Sequence, residues 1–188
     1  MSISNDRKQW TEVIAGDGVT DDTAAINAAI AADGTHAPGA GSSTNTPNLV
    51  YFPSGTYLIS SSIIDYYYTQ LIGNPNCMPT LKATANFNGF GLIDGDQYGA
   101  NGLKIGSTLV FYRQVRNFII DMTNIPGTSA ATGIHWPTAQ ATSLQNLIFL
   151  MSSINGTQHQ GVFIESGSGG WMTDLVFYGG KSPTYPIS

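Results

Sequence analysis

Acidic side chains are few in this chain, and the way they cluster is the first clue to its chemistry. Of the 12 Asp and Glu residues, Asp17, Asp21 and Asp22 fall within GDGVTDDTAAINAAI, residues 16–30. Hard oxygen donors at that spacing raise the reading of a calcium loop. The run has neither the regular ligand alternation nor the closing Glu of such a loop, and no Lys follows its glycines as a phosphate loop requires. No metal site is therefore expected here. Asp94 and Asp96 would share one face of a strand, and Glu165 ends GVFIE shortly before Asp174 on the next strand-like run. Two carboxyls about 6.5–9.5 Å apart, one with its pKa raised by apolar surroundings, can hydrolyse a glycosidic bond with inversion. Glu165 is the candidate acid, because it precedes the glycine-rich turn SGSGG. The competing role for it is a solvated or ladder carboxylate.

The remaining polar groups narrow the partner. Trp136 with His135 beside it offers an aromatic face and a polar edge to a pyranose ring, though an aromatic in a β-rich chain is more often core. His159 lies between Gln158 and Gln160, a polar trio in which Gln160 is a candidate sugar contact. No second His or Cys stands at zinc-ligand spacing, and no cofactor is implied. Cys77 is alone, so no internal disulfide can form. With only 7 Lys and Arg, a net charge of −5 and 10% charged residues, the chain lacks the basic footprint of nucleic-acid binding. A neutral partner such as a sugar suits this surface better. No apolar run is long enough to span a membrane, and MSISNDRKQW lacks the apolar core of a signal peptide. Asn155 opens the sequon NGT, a glycosylation site if the chain is exported.

The elements that must hold these residues are mostly strands. One helix is expected over residues 20–32, with Thr20 or Asp21 accepting its first free N–H groups. Residues 36–48, HAPGAGSSTNTPN, read as a loop without a packing face. Beyond Leu49 come short β-rich runs broken by Gly, Asn and Pro, among them DYYY, read as a strand with Tyr66 and Tyr68 on one side and Tyr67 on the other.

The organising feature is a repeat. VRNFII, LQNLIF and MTDLVF place Asn117, Asn146 and Asp174 at steps of 29 and 28 residues, and TGIHW and QGVFI place Gly133 and Gly161 28 apart. Two strand types recurring with one period stack as the rungs of an all-β, right-handed parallel β-helix. The Asn/Asp column then reads as a polar ladder at a turn, and the helix as a polar cap over the first rung. The chain divides into a single β-helix domain, 1–188: a cap region 16–34, a loop 35–48, rungs 49–180 and an irregular tail 181–188.

GDGVTDDTAAINAAI followed by LVYFPSGTYLIS resembles the opening of the pectate-lyase-type β-helix superfamily. IIDYYYTQLIG, RQVRNFIIDM, TGIHWPTAQATSLQNLIF and GTQHQGVFIESGSGGWMTDLVFYGG resemble glycoside hydrolase family 55, the fungal exo-β-1,3-glucanases, from about residue 16 to 180. The resemblance implies an inverting hydrolase that binds β-1,3-glucan between two tandem β-helices. It also implies extracellular location, although no signal segment is read here. By the same resemblance Gln140 and Ser168 would position the attacking water. The family's general acid lies in the second β-helix, so the chain is expected to be incomplete on its own. The alternatives are a non-catalytic glucan-binding or structural β-helix and, less well suited to an acidic chain, a calcium-dependent polysaccharide lyase. Self-association through the open β-helix end is expected unless Pro183 and Pro186 fold over it.

Overall fold

The computed structural model describes residues 10–12, 16–38, 44–105 and 109–181. Along the chain these form β1 (Trp10–Glu12), β2 (Asp17–Asp21), α1 (Thr23–Ile30), β3 (Asn48–Phe52), β4 (Thr56–Ile64) and β5 (Thr69–Gly73). They continue with β6 (Thr80–Asp94), β7 (Tyr98–Gly99), β8 (Gly102–Leu103), β9 (Val110–Phe111), β10 (Gln114–Asp121) and β11 (Ala131–His135). The last are β12 (Ala139–Gln140), β13 (Ser143–Leu150), β14 (His159–Phe163), β15 (Gly167–Ser168) and β16 (Trp171–Tyr178). Of the expected tail, 181–188, all but residue 181 lies outside the described residues, Pro183 and Pro186 included.

Pairing is parallel everywhere among the described residues except in the β7–β8 hairpin. One column stacks β1, β3, β5, β10, β13 and β16. A second stacks β2, β4, β6, β11 and β14, and a short third stacks β9, β12 and β15. This is an all-β parallel β-helix, as the repeat implied. Because each rung lies in register on its predecessor, like residues line up inside. Val50, Leu71, Val115 and Leu144 form one fully buried file, and Ile63, Ile93 and Ile134 another. Each such side chain removed from water contributes about 1.5–3 kcal/mol.

Asn117, Asn146 and Asp174 interrupt the first column without pairing, at φ of 64°, 50° and 55°. They are the corners where each strand turns. The Asn146 carboxamide donates to Asn117 Oδ1 at 3.0 Å, and Asn117 donates to the Gly73 carbonyl at 3.1 Å. Asn tolerates this left-handed backbone better than other side chains. Asp174 keeps the conformation but accepts from Thr173 instead. Asn146→Ala is expected to cost about 1–2 kcal/mol through backbone strain and the lost bond, and Asn146→Gly about half as much. Urea unfolding checks the order; equal losses would mean that strain plays no part.

Helix α1 begins three residues later than the periodicity suggested, at Thr23. Asp21 accepts the Thr23 N–H at 3.1 Å, as expected of a residue at the helix start. Asp22 departs from that role. It occupies the N-cap without a side-chain bond to the helix, and its carboxylate accepts from the Leu58 N–H on β4 at 3.2 Å. Thr23 accepts the Ser60 N–H at 2.8 Å, and Asn27 accepts the Ile64 N–H at 2.9 Å while donating to the Ser62 carbonyl. Three side chains of the helix thus satisfy the outward edge of β4 where β2 stops, while Ile26 and Ile30 are buried in the core. That is how the cap works. Asp17 instead closes its own turn by accepting from Val19, Thr20 and the Thr20 hydroxyl, which holds its carboxyl below the usual range.

Two local readings are corrected. DYYY is not a strand: residues 65–68 turn between β4 and β5, with Tyr68 in the left-handed region at φ 45°. The loop after the helix does pack, since His36 is fully buried, hydrogen-bonded to Asp33 and to the Thr46 carbonyl, with its ring against Tyr67. At the other end β16 pairs with β13 alone among the described residues, leaving Trp171, Met172, Val176, Phe177 and Tyr178 exposed.

Candidate functional site

The rung register sets the ends of three strands side by side. Asp94, His135 and Phe163 are aligned neighbours on β6, β11 and β14, and Glu165 follows two residues later. The His135 ring is fully buried between two carboxylates. Its Nδ1–H donates to Asp94 Oδ1 at 2.8 Å and its Nε2–H to Glu165 Oε2 at 2.9 Å. An imidazole that donates from both nitrogens is the imidazolium. Burial alone would lower the His135 pKa, but the bonds to Asp94 and Glu165 outweigh it and the pKa is raised. Phe90 packs on the ring at 4.5 Å, and Tyr98 and Phe163 stack against it at 5.2 and 5.7 Å. The Tyr98 hydroxyl donates to Glu165, and burial with that carboxylate pushes its pKa up to about 12.

This arrangement suits Glu165 as an ion-pair partner better than as an acid. Partial burial would raise its pKa, but hydrogen bonds from Tyr98 and His135 and the imidazolium charge hold it below the usual range. A general acid for a leaving glycosidic oxygen calls for the opposite shift, a carboxyl with its pKa raised. His135 is likewise no polar edge for a sugar, since both its nitrogens are engaged. Asp94 and Asp96 do not share a strand face: β6 ends at Asp94, and Asp96 lies in the following turn, accepting the Ile105 N–H and buried.

Trp136 is also corrected. It is 1% exposed, with its indole N–H donating to Thr142 at 3.0 Å and the Arg113 guanidinium 4.4 Å over its ring. Arg113 is fully buried and donates to the carbonyls of Asp65 at 3.3 Å and Pro137 at 2.6 Å. Beside it burial raises the Asp65 pKa to about 8 despite the Arg113 charge.

Gln140 and Ser168, 28 residues apart, are register partners on β12 and β15, and the Ser168 hydroxyl donates to Gln140 Oε1 at 2.6 Å. Ser168 and the glycines 167, 169 and 170 line a cavity of about 370 Å³ with Ile164, Ser166 and the exposed Trp171, and Trp136 forms its buried floor. Gly167 has φ 137°, and a Cβ there would lie 2.2 Å from the Ala139 carbonyl, so the ledge must be glycine. Gln160 stands exposed on β14 and lines neither this cavity nor the smaller one beside Tyr98. Asn155 sits in the exposed loop between β13 and β14. Sequence reading missed Tyr98, Trp171 and Arg113. Trp171 alone left a signal, since it opens the strand after the glycine turn.

Residues 12–184 match the family model described as rhamnogalacturonase A/epimerase, pectate lyase-like. The chain belongs to that family. The sequence is 48% identical over 168 residues to a glucan 1,3-beta-glucosidase of Cochliobolus carbonum, covering 88% of this chain and 21% of that protein. It is equally 48% identical over 171 residues to the non-secreted LysM effector LysM15 of Penicillium expansum, covering 90% of this chain and 12% of that one. The chain therefore spans about a fifth or less of these relatives. Among solved structures, ORF18 of Geobacillus virus E2 superposes with a TM-score of 0.60 at 19% identity, over 90% of this chain and 36% of that one. That likeness is one of fold. No helix among the described residues is long and apolar enough to cross a membrane.

Proposed function

We propose that this chain is a β-1,3-glucan-directed module of an inverting exo-β-1,3-glucanase, with Gln140 and Ser168 placing the attacking water. The observation that carries it is the 370 Å³ cavity in which the Ser168 hydroxyl, bonded to Gln140, faces a glycine ledge with Trp171 exposed beside it. A sugar ring stacks on such an aromatic, and paired hydroxyl and amide groups can hold one water. The cavity walls are neutral, which suits a glucan better than an anionic polymer. The similarity to a named glucan 1,3-beta-glucosidase supports the same substrate. In this reading the module works outside the cell.

Among the described residues no carboxyl lines this cavity. The carboxyls whose pKa is raised, Asp22, Asp65 and Asp96, are buried elsewhere, and none lines it. The 188-residue chain is therefore expected to be retained on insoluble β-1,3-glucan without releasing glucose from laminarin. Exchanged for the corresponding segment of the Cochliobolus carbonum protein, it is expected to preserve glucose release. Gln140→Ala in that chimera should lower kcat by about 10²-fold, as loss of one preorganised polar contact does. Undiminished release would exclude Gln140 from the reaction. Glucose release by the chain alone that Glu165→Gln abolishes would overturn the account of Glu165.

A further inference from the structure

A second cavity, of about 260 Å³, opens beside the His135 cluster between β4, the later part of β6 and β7. Ser61, Asn88, Phe90, Asp94, Gln97 and Tyr98 line it. Two features set its chemistry. The first is an aromatic corner: Phe90 and Tyr98 meet edge to face at 5.3 Å and are 40% and 43% exposed. The second is a rim of neutral hydrogen-bonding groups, the carboxamides of Asn88 and Gln97 and the hydroxyl of Ser61. Among the described residues no Lys or Arg lines the cavity, so it does not select an anion. The one carboxylate among its described lining residues, Asp94, is tied to the His135 imidazolium, so it does not select a cation either. A ring with apolar faces and an equator of hydroxyls meets both features.

The corner is set before any ligand arrives. The Tyr98 ring stacks on His135 and its hydroxyl is held by Glu165, while Phe90 packs on His135 and at 5.6 Å on Phe163. Gln97 is steadied by the Lys104 ammonium, which donates to its Oε1 at 2.9 Å, leaving the amide N–H₂ for a ligand. Side chains ordered during folding cost little more to order on binding. The cavity is also tied to the first one through the backbone. Ile164 and Ser166 line the 370 Å³ cavity, and Glu165 between them turns to Tyr98.

We propose that the Phe90–Tyr98 cavity is a second sugar-binding site, taking one neutral pyranose unit of the polysaccharide engaged at the Ser168 cavity. This rests on the glucan reading for the identity of the polymer, but not for the sugar chemistry of the cavity. The test is a ¹H–¹⁵N titration of the 188-residue chain with laminarihexaose and, separately, cellohexaose. Laminarihexaose is expected to shift the side-chain amides of Asn88 and Gln97 together with the backbone amides of Gly169 and Gly170. Phe90→Ala should abolish the shifts at Asn88 while leaving those at Gly169, and Tyr98→Phe, which keeps the ring, should weaken them severalfold. Shifts confined to Gly169 and Gly170 would overturn the second site and leave the proposed function standing. Shifts at Asn88 and Gln97 with cellohexaose alone would uphold the sugar site and overturn the β-1,3-glucan reading. Silence at Asn88 and Gln97 with both oligosaccharides would overturn the second site.

Discussion

His135→Leu is expected to lower the unfolding free energy by about 3 kcal/mol at pH 5.5, measured by urea denaturation, and by clearly less at pH 9. The imidazolium joins Asp94 on one rung to Glu165 beyond the next, and Asp94 is 2% exposed. Removing one partner of a buried ion pair leaves the other charge uncompensated, which costs about 3–5 kcal/mol. The pH dependence follows from the two shifts. His135 has its pKa raised above the ordinary 6.5, so its contribution is complete below 6.5 and is lost as pH rises through the folded value. Glu165 has its pKa lowered below the ordinary 4.5, so its contribution is complete above 4.5 and is lost as pH falls through the folded value. The clamp is strongest between those limits. Glu165 keeps part of its surface in water, so Glu165→Gln should cost less than His135→Leu. A His135→Leu loss below 1 kcal/mol, or one that does not shrink on going to pH 9, would show that the cluster is packing and not an ionic clamp.

Arg113→Met is expected to cost a further kind of stability, about 3 kcal/mol and nearly independent of salt. Arg113 is fully buried and holds the Asp65 and Pro137 carbonyls, which come from turns far apart in the chain, while lying over the Trp136 ring. Met fills much of the volume but orphans two buried acceptors, each costing about 1–3 kcal/mol. Arg113→Lys should recover little, because an ammonium has no planar fork to span both carbonyls and cover an indole. The neighbouring Asp65 makes the opposite prediction. Neither of its carboxyl oxygens has a hydrogen-bond partner among the described residues, and burial raises its pKa from 3.8 to about 8. A carboxyl whose folded pKa is raised favours the fold below pH 3.8 and loses that advantage as pH rises through about 8. Asp65→Asn, neutral at every pH, should therefore be close to the parent below pH 3.8 and more stable than it at pH 9. A lower melting temperature of Asp65→Asn at pH 9 would show that the ionised carboxylate stabilises the fold.

The sequence by itself determined the rung. A step of 28 or 29 residues recurs because each turn of a parallel β-helix lays like on like, and that spacing is written in the chain whatever the details of packing. It disclosed the Asn117, Asn146 and Asp174 corners, since few other side chains accept a left-handed backbone there. Gln140 and Ser168, singled out by family resemblance alone, prove to stand one period apart as register partners. The tertiary structure decided everything that depends on which way a side chain points and what it meets off the period. Asp94 and His135 are 41 residues apart and His135 and Glu165 are 30 apart, steps set by the length of the turns between rungs. No periodicity could announce that triad, or bring Glu165 to the ring of His135. Trp136 and Arg113 went the same way. Trp136 offered a sugar-facing ring in one dimension and Arg113 no signal at all, but the β-helix interior closes over both and sets the guanidinium 4.4 Å over the indole.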